Sequence, residues 1–107
     1  MKSDCVVVWT TVGRSANCRD LASILVNERL AACVNVLAEM ESIYRWKGQV
    51  ESDNERQLVM KTTAERVPAL RDRVLGLHDY EVPEFIVTAI VGGSEAYLDW
   101  IRESTAG

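Results

Sequence analysis

The stretch CVNVLAEMESIYRWKGQVES, Cys33 to Ser52, followed by DNERQLVMKTT up to Thr63, decides the fold. Its first part sets valine, isoleucine, tyrosine and tryptophan in partial alternation with polar residues, the period-two pattern of a strand. From Cys33 to Glu51 it runs for about 19 residues, roughly 60 Å if straight, where an ordinary strand has about five or six. Such a strand must bend, bulge or project. Asp53 and Asn54 are turn formers and predict the reversal, after which Glu55 to Thr63 returns as the partner strand of a hairpin. Tyr44 and Trp46 lie two apart and share one face, while Ile43 points to the other. A projecting hairpin would leave this aromatic area and its open edges in water, so either a partner subunit covers Tyr44 and Trp46 or they fold back on their own sheet.

Upstream, CVVVWTTV (Cys5 to Val12) is β-branched and apolar on both faces, as in a central strand, and Gly13 ends it. Ser15 is the expected N-cap of a helix in which Cys18, Leu21, Ala22, Leu25 and Val26 recur at helical spacing through about Leu30. Downstream, Thr62 and Glu65 have the spacing of a capping box for a second helix, with Leu70, Val74 and Leu77 on one face and Pro68 in its first turn. FIVTAIV, Phe85 to Val91, reads as a further strand stopped by Gly92-Gly93, and Ser94 caps a last helix carrying Tyr97, Leu98 and Ile101 on one side. The order is β-α-β-β-α-β with a C-terminal helix, an α+β, ferredoxin-like split βαβ domain spanning residues 1–107.

Composition narrows the function. A hydrophobic fraction of 48% with 26% charged residues is that of a chain with one packed core. A formal charge of −4 with no run of basic residues gives no general attraction to nucleic acid or anionic lipid. No segment reaches membrane-spanning length, and MKSDCVVVWTTV lacks the pattern of a signal peptide. Cys5, Cys18 and Cys33 are odd in number and set in apolar context, which suits reduced thiols in the cytoplasm and no structural zinc site. Trp9, Trp46 and Trp100 read as core or interface filling.

HDYEVPE, His78 to Glu84, holds the single histidine and three acidic residues. Imidazole and carboxylate are ligand types suited to Cu(II), Zn(II) or Ni(II), but neighbours on an extended segment point opposite ways. The same stretch also serves as a helix-to-strand turn: a histidine favours a helix C-terminus, and Pro83 fits the entry to a strand. Both readings stay open on the residues alone.

ERLAACVNV (Glu28 to Val36), SIYRWKGQVE (Ser42 to Glu51), KTT (Lys61 to Thr63), HDYEVPE and YLDWI (Tyr97 to Ile101) together resemble the CutA divalent-cation tolerance family over nearly the whole chain. The resemblance implies a ferredoxin-like subunit in a compact homotrimer similar to PII signalling proteins, with long hairpins engaging neighbours. It also implies a cytoplasmic role in tolerance of copper and other divalent cations. The family pattern His-Pro-Tyr-Glu-x-Pro-Glu is matched at His78, Tyr80, Glu81, Pro83 and Glu84, with Asp79 in place of the usual proline. Some members combine this histidine and glutamate with a cysteine at the end of the first strand, where this chain has Thr10 and then Thr11. Lacking that thiolate, it is expected to offer a weaker nitrogen and oxygen site for Cu2+ or Zn2+, with His78 and Glu84 as ligands and Glu81 orienting them.

Three classes of function follow. The first is a trimeric protein of metal homeostasis, without enzyme activity. The second is a PII-like sensor or protein-interaction module that takes a small ligand at clefts between subunits. The third, a small phosphate-ester or acyl-phosphate hydrolase, would use Gly13-Arg14-Ser15 ahead of a helix to hold the anion, but no nucleophile or general base stands beside it.

Overall fold

The computed structural model describes residues 4–107. Its elements are strand β1 (Cys5–Gly13), helix α1 (Cys18–Asn27), strands β2 (Cys33–Val36), β3 (Met40–Trp46) and β4 (Gln49–Thr63), helix α2 (Val67–Leu77), strand β5 (Ile86–Ala89) and helix α3 (Glu95–Thr105). A single turn of 3-10 helix, Ala64–Arg66, leads into α2. The strands form one antiparallel sheet in the order β2-β4-β1-β5, with β3 paired to the first half of β4. The result is a mixed α+β fold.

The long strand expected from Cys33 is present but broken. Val36 stands opposite Leu58 and Met40 opposite Glu55, so the three residues Leu37–Glu39 face only Arg56 and Gln57. One extra residue on one side of a ladder is a bulge, and it bends the strand. Leu37 keeps its place through its N–H to Gln57 O, 3.0 Å, and its carbonyl accepts from Arg56 Nε at 3.1 Å.

The reversal is displaced from its expected position. Lys47 and Gly48 make the turn, both in the left-handed region at φ 50° and 81°. Two successive positive φ angles match the twist of a tight hairpin, and only the second position here carries glycine. Asp53 and Asn54 instead lie inside β4, opposite Ser42 and Glu41. Their turn propensity yields to a continuous ladder of seven paired residues.

One sheet face is buried under α1 and α2. Val6, Val8, Met60, Leu25, Leu70 and Val74 form the main core, fed by alternate residues of β1 and β4. A second cluster, Cys5, Ala32 and Ile101, ties α3 to the start of β1. Cys18 fills a third with Val12 and Leu58, while Cys33 is half-buried at the start of β2. The other face carries α3 over its Cys5 end, while Val7 and the cross-strand set Trp9, Val59 and Ile86 are only partly covered.

Helix ends also differ from expectation. Asn17, not Ser15, caps α1: its Oδ1 accepts from Asp20 N at 3.1 Å and its Nδ2 donates to Asp20 Oδ2 at 2.8 Å. The helix ends at Asn27 rather than Leu30 because Arg29 turns left-handed, φ 59°, and sends Leu30 N–H back to Leu25 O. The Thr62–Glu65 capping box does not form. Thr62 is buried and donates to Leu30 O at 2.8 Å, which fastens the end of α1 to β4. Ser94 does cap α3, accepting from Tyr97 N, and β5 is shorter than the apolar run that suggested it.

These turn positions predict opposite sensitivities. Gly48→Val should lower stability by about 1–2 kcal/mol through its positive φ, whereas Asn54→Ala should stay within about 0.5 kcal/mol. Urea unfolding midpoints measured at one protein concentration check this, and a reversed ranking would return the turn to Asp53-Asn54.

Candidate functional site

Beyond Trp9 the β1 edge is no longer paired to β5, and residues 78–84 run along it instead. His78 closes α2 in an extended conformation and places its Nε2 2.6 Å from Thr11 O. A carbonyl can only accept, so Nε2 carries the hydrogen; Nδ1 then has the lone pair that accepts Tyr80 N–H at 3.1 Å. Both ring nitrogens are thus engaged in holding the segment. Thr10 Oγ1 donates to Glu84 O at 2.7 Å, and Gln57 Nε2 donates to Thr10 O and to Glu84 Oε2, each at 2.9 Å. The turn reading and the site reading therefore describe one set of atoms.

Opposite this segment stands the inner face of the hairpin. The alternation of β3 puts Met40, Ser42, Tyr44 and Trp46 on that face, and their cross-strand register brings Asp53, Glu55 and Gln57 beside them. Together with residues 79–84 they enclose a cleft of about 690 Å³. Tyr44 and Trp46 fold toward their own chain yet remain 38% and 37% exposed, while Ile43 and Val50 on the outer face are 70% and 66% exposed.

Two tyrosines orient two carboxylates in the cleft. Tyr80 Oη donates to Glu55 Oε2 at 2.7 Å, and its ring lies 4.7 Å from that of His78, centroid to centroid. Burial first, and then the Glu55 carboxylate, hold the Tyr80 phenol well above its usual range. Tyr44 Oη donates to Asp53 Oδ2, and this bond, followed by burial, pushes its pKa up to about 12. Both shifts favour the protonated phenols.

Of the residues expected to bind metal, the structure brings His78 and Glu84 to the same end of β1, each already hydrogen-bonded. Glu81 points away to the rim, 4.0 Å from Lys47 Nζ. Among the described residues no three His, Cys, Asp or Glu side chains gather closely enough to hold a metal ion. Thr10, expected where some members carry a cysteine, is buried with its hydroxyl committed to Glu84 O. Sequence reasoning missed Asp53, Glu55 and Gln57; their period-two spacing was the available signal, hidden by placing a turn at Asp53. Gly13-Arg14-Ser15 forms a turn, with Ala16 N–H bonded to Gly13 O at 2.9 Å, and not the first turn of a helix.

The sequence profile of the CutA1 divalent ion tolerance protein matches residues 6–104. The chain belongs to the CutA1 family. A divalent-cation tolerance protein CutA of Thermus thermophilus is 48% identical over 99 residues, covering 92% of this chain and 96% of that protein. A chloroplastic CutA of Arabidopsis thaliana is 43% identical over 94% of this chain, which spans 55% of the plant protein's length. The solved T. thermophilus CutA1 structure superposes with a TM-score of 0.91 at 47% identity, over 95% of this chain and 99% of that one. A structure titled as the periplasmic CutA of Archaeoglobus fulgidus has a TM-score of 0.90 at 29% identity, over 95% and 99% of the two chains. CutA1 proteins thus carry chloroplastic and periplasmic names, and among the described residues here no helix is long and apolar enough to cross a membrane.

The tyrosine–carboxylate pairs predict a titration. A phenol whose folded pKa is raised contributes stability that is complete below about pH 10, its unfolded value, and lost as pH rises through the folded value. For Tyr44 the window is about pH 10 to about 12. Ultraviolet titration of Asp53→Asn should show one phenolate step moving down toward about pH 10. An unchanged curve would remove Asp53 as the cause.

Proposed function

We propose that this CutA1 protein acts in divalent-cation tolerance as a cytoplasmic homotrimer of ferredoxin-like, PII-like subunits, binding metal rather than catalysing a reaction. The family match over nearly the whole chain carries this reading, because the proteins it joins are named for divalent-cation tolerance. The part of the sheet face that α3 leaves open supports the assembly. Val7, Trp9, Val59 and Ile86 present apolar area there, and Ile43 and Val50 expose more on the opposite face of the hairpin. Covering such area removes it from water at about 25 cal/mol per Å². The mouth of the cleft at Tyr44 and Trp46 would then border the neighbouring subunit.

For metal, His78 and Glu84 are the proposed ligands, and Glu81, which stands at the rim, would have to turn inward to orient them. His78 would coordinate through Nδ1, exchanging the bond from Tyr80 N–H for the ion, so the affinity is modest. Thr10 in place of a thiolate favours Cu2+ or Zn2+ over Cu(I). A PII-like sensor role is the second reading, favoured by a cleft of about 690 Å³, the size of a small-molecule site.

Calorimetric titration with Cu2+ and with Zn2+, alongside light scattering, tests the proposal. The wild type should scatter as a trimer and bind saturably, while His78→Ala and Glu84→Gln should weaken binding about tenfold or more without changing the assembly. Equal binding in all three proteins would remove these ligands. A monomer at micromolar concentration would remove the assembly.

A further inference from the structure

We infer that the cleft between the hairpin and residues 79–84 binds an organic cation, an amine or guanidinium carried on an apolar body. Its volume of about 690 Å³ is that of a small-molecule site. The wall is mixed in a particular way: Met40, Trp46 and Val82 supply apolar surface, Asp53, Glu55 and Glu84 supply carboxylates, and among the described residues no lysine or arginine lines it. An anion is repelled, and a neutral apolar molecule would strip water from charges without replacing it. A cation with hydrocarbon attached satisfies both parts of the wall.

The way these carboxylates are held strengthens the case. Elsewhere on the molecule Glu28 meets Arg73, and Asp4 and Asp99 meet Arg102, although Asp20 and Glu41 meet the neutral donors Asn17 and Ser52. In the cleft Asp53, Glu55 and Glu84 meet Tyr44, Tyr80 and Gln57, neutral donors that fix direction and leave the negative charge in place. Glu55 is only 7% exposed, so its charge acts where water screens it least. The chain's own Lys47 also provides a stand-in at the rim. Its ammonium lies 5.6 Å from the Trp46 ring centroid and 4.0 Å from Glu81, between an aromatic ring and a carboxylate.

A bare metal ion fits these inner groups less well, because no three ligating side chains converge among the described residues. The inference does not rest on the metal-binding reading, and its test is run on EDTA-treated protein in its native assembly. Spermidine and phenethylamine are titrated by calorimetry and tryptophan fluorescence, with phenylpropionate as the anionic control of similar body. Saturable amine binding is expected, weakened by salt, absent for phenylpropionate, and reduced about tenfold or more by Glu55→Gln and by Trp46→Ala. Asp53→Asn, on the projecting hairpin, gives the same reading if Glu55→Gln disturbs the fold. Absence of saturable amine binding would overturn the inference, as would equal binding of phenylpropionate or binding unchanged in the variants. Loss of copper or zinc binding in His78→Ala bears only on the metal site, so the two proposals fail separately.

Discussion

Strand β4 is the member on which the rest of the structure depends. Its second half is hydrogen-bonded on both edges, to β1 and to β2, and its first half only to β3. The same 15 residues therefore serve as the centre of the sheet at one end and as one arm of a free-standing hairpin at the other. Burial changes along the strand accordingly: Gln49 to Asn54 are exposed, and from Leu58 onward alternate residues enter the core. Because side-chain direction alternates strictly, the register that buries Leu58, Met60 and Thr62 under the helices must turn Glu55, Gln57 and Val59 to the opposite face. The cleft is thus a consequence of core packing. A one-residue slip would move its carboxylates under the helices.

The segment after α2 completes that cleft with backbone chemistry. Where β5 stops pairing, β1 would leave polar groups open, and His78, Gln57 and the Glu84 carbonyl take them up. A histidine bonded at both nitrogens acts as a strut between Thr11 and Tyr80. Tyr80 then reaches Glu55, so the single histidine, the hairpin and the strand end form one connected network. Such a network is cooperative, and loss of any member leaves polar groups that must find other partners.

Most of the architecture was legible in the sequence because it rests on apolar periodicity. The runs at Cys5 to Val12 and the helical spacing of Leu70 and Val74 report burial directly, and burial fixes both. The failures occur where tertiary context outweighs local propensity. Asp53-Asn54 is a better turn than Lys47-Gly48 by composition, yet the ladder between β3 and β4 overrides it. Thr62 has capping chemistry, but a buried carbonyl of Leu30 claims its hydroxyl. The site was half legible: HDYEVPE stood out by its residue types, whereas Asp53, Glu55 and Gln57 acquire meaning only once the turn is placed and the register is known. Trp46, read as filling, lines the cleft for the same reason.

The electrostatic design of the cleft connects these points. A carboxylate paired with arginine is neutralised and fixed, which suits a surface that only has to remain folded. A carboxylate bonded to a phenol or an amide is fixed but still charged, and the phenol answers by holding its proton more tightly, as the raised Tyr44 and Tyr80 values show. Keeping uncompensated charge beside apolar surface costs stability, and removing Glu55 or Asp53 in favour of neutral residues would relieve that repulsion. The molecule retains them in fixed directions on a rigid ladder. Preorganised charge of this kind lowers the cost of binding a counter-charge, since neither the carboxylates nor the tyrosines need to reorient when it arrives.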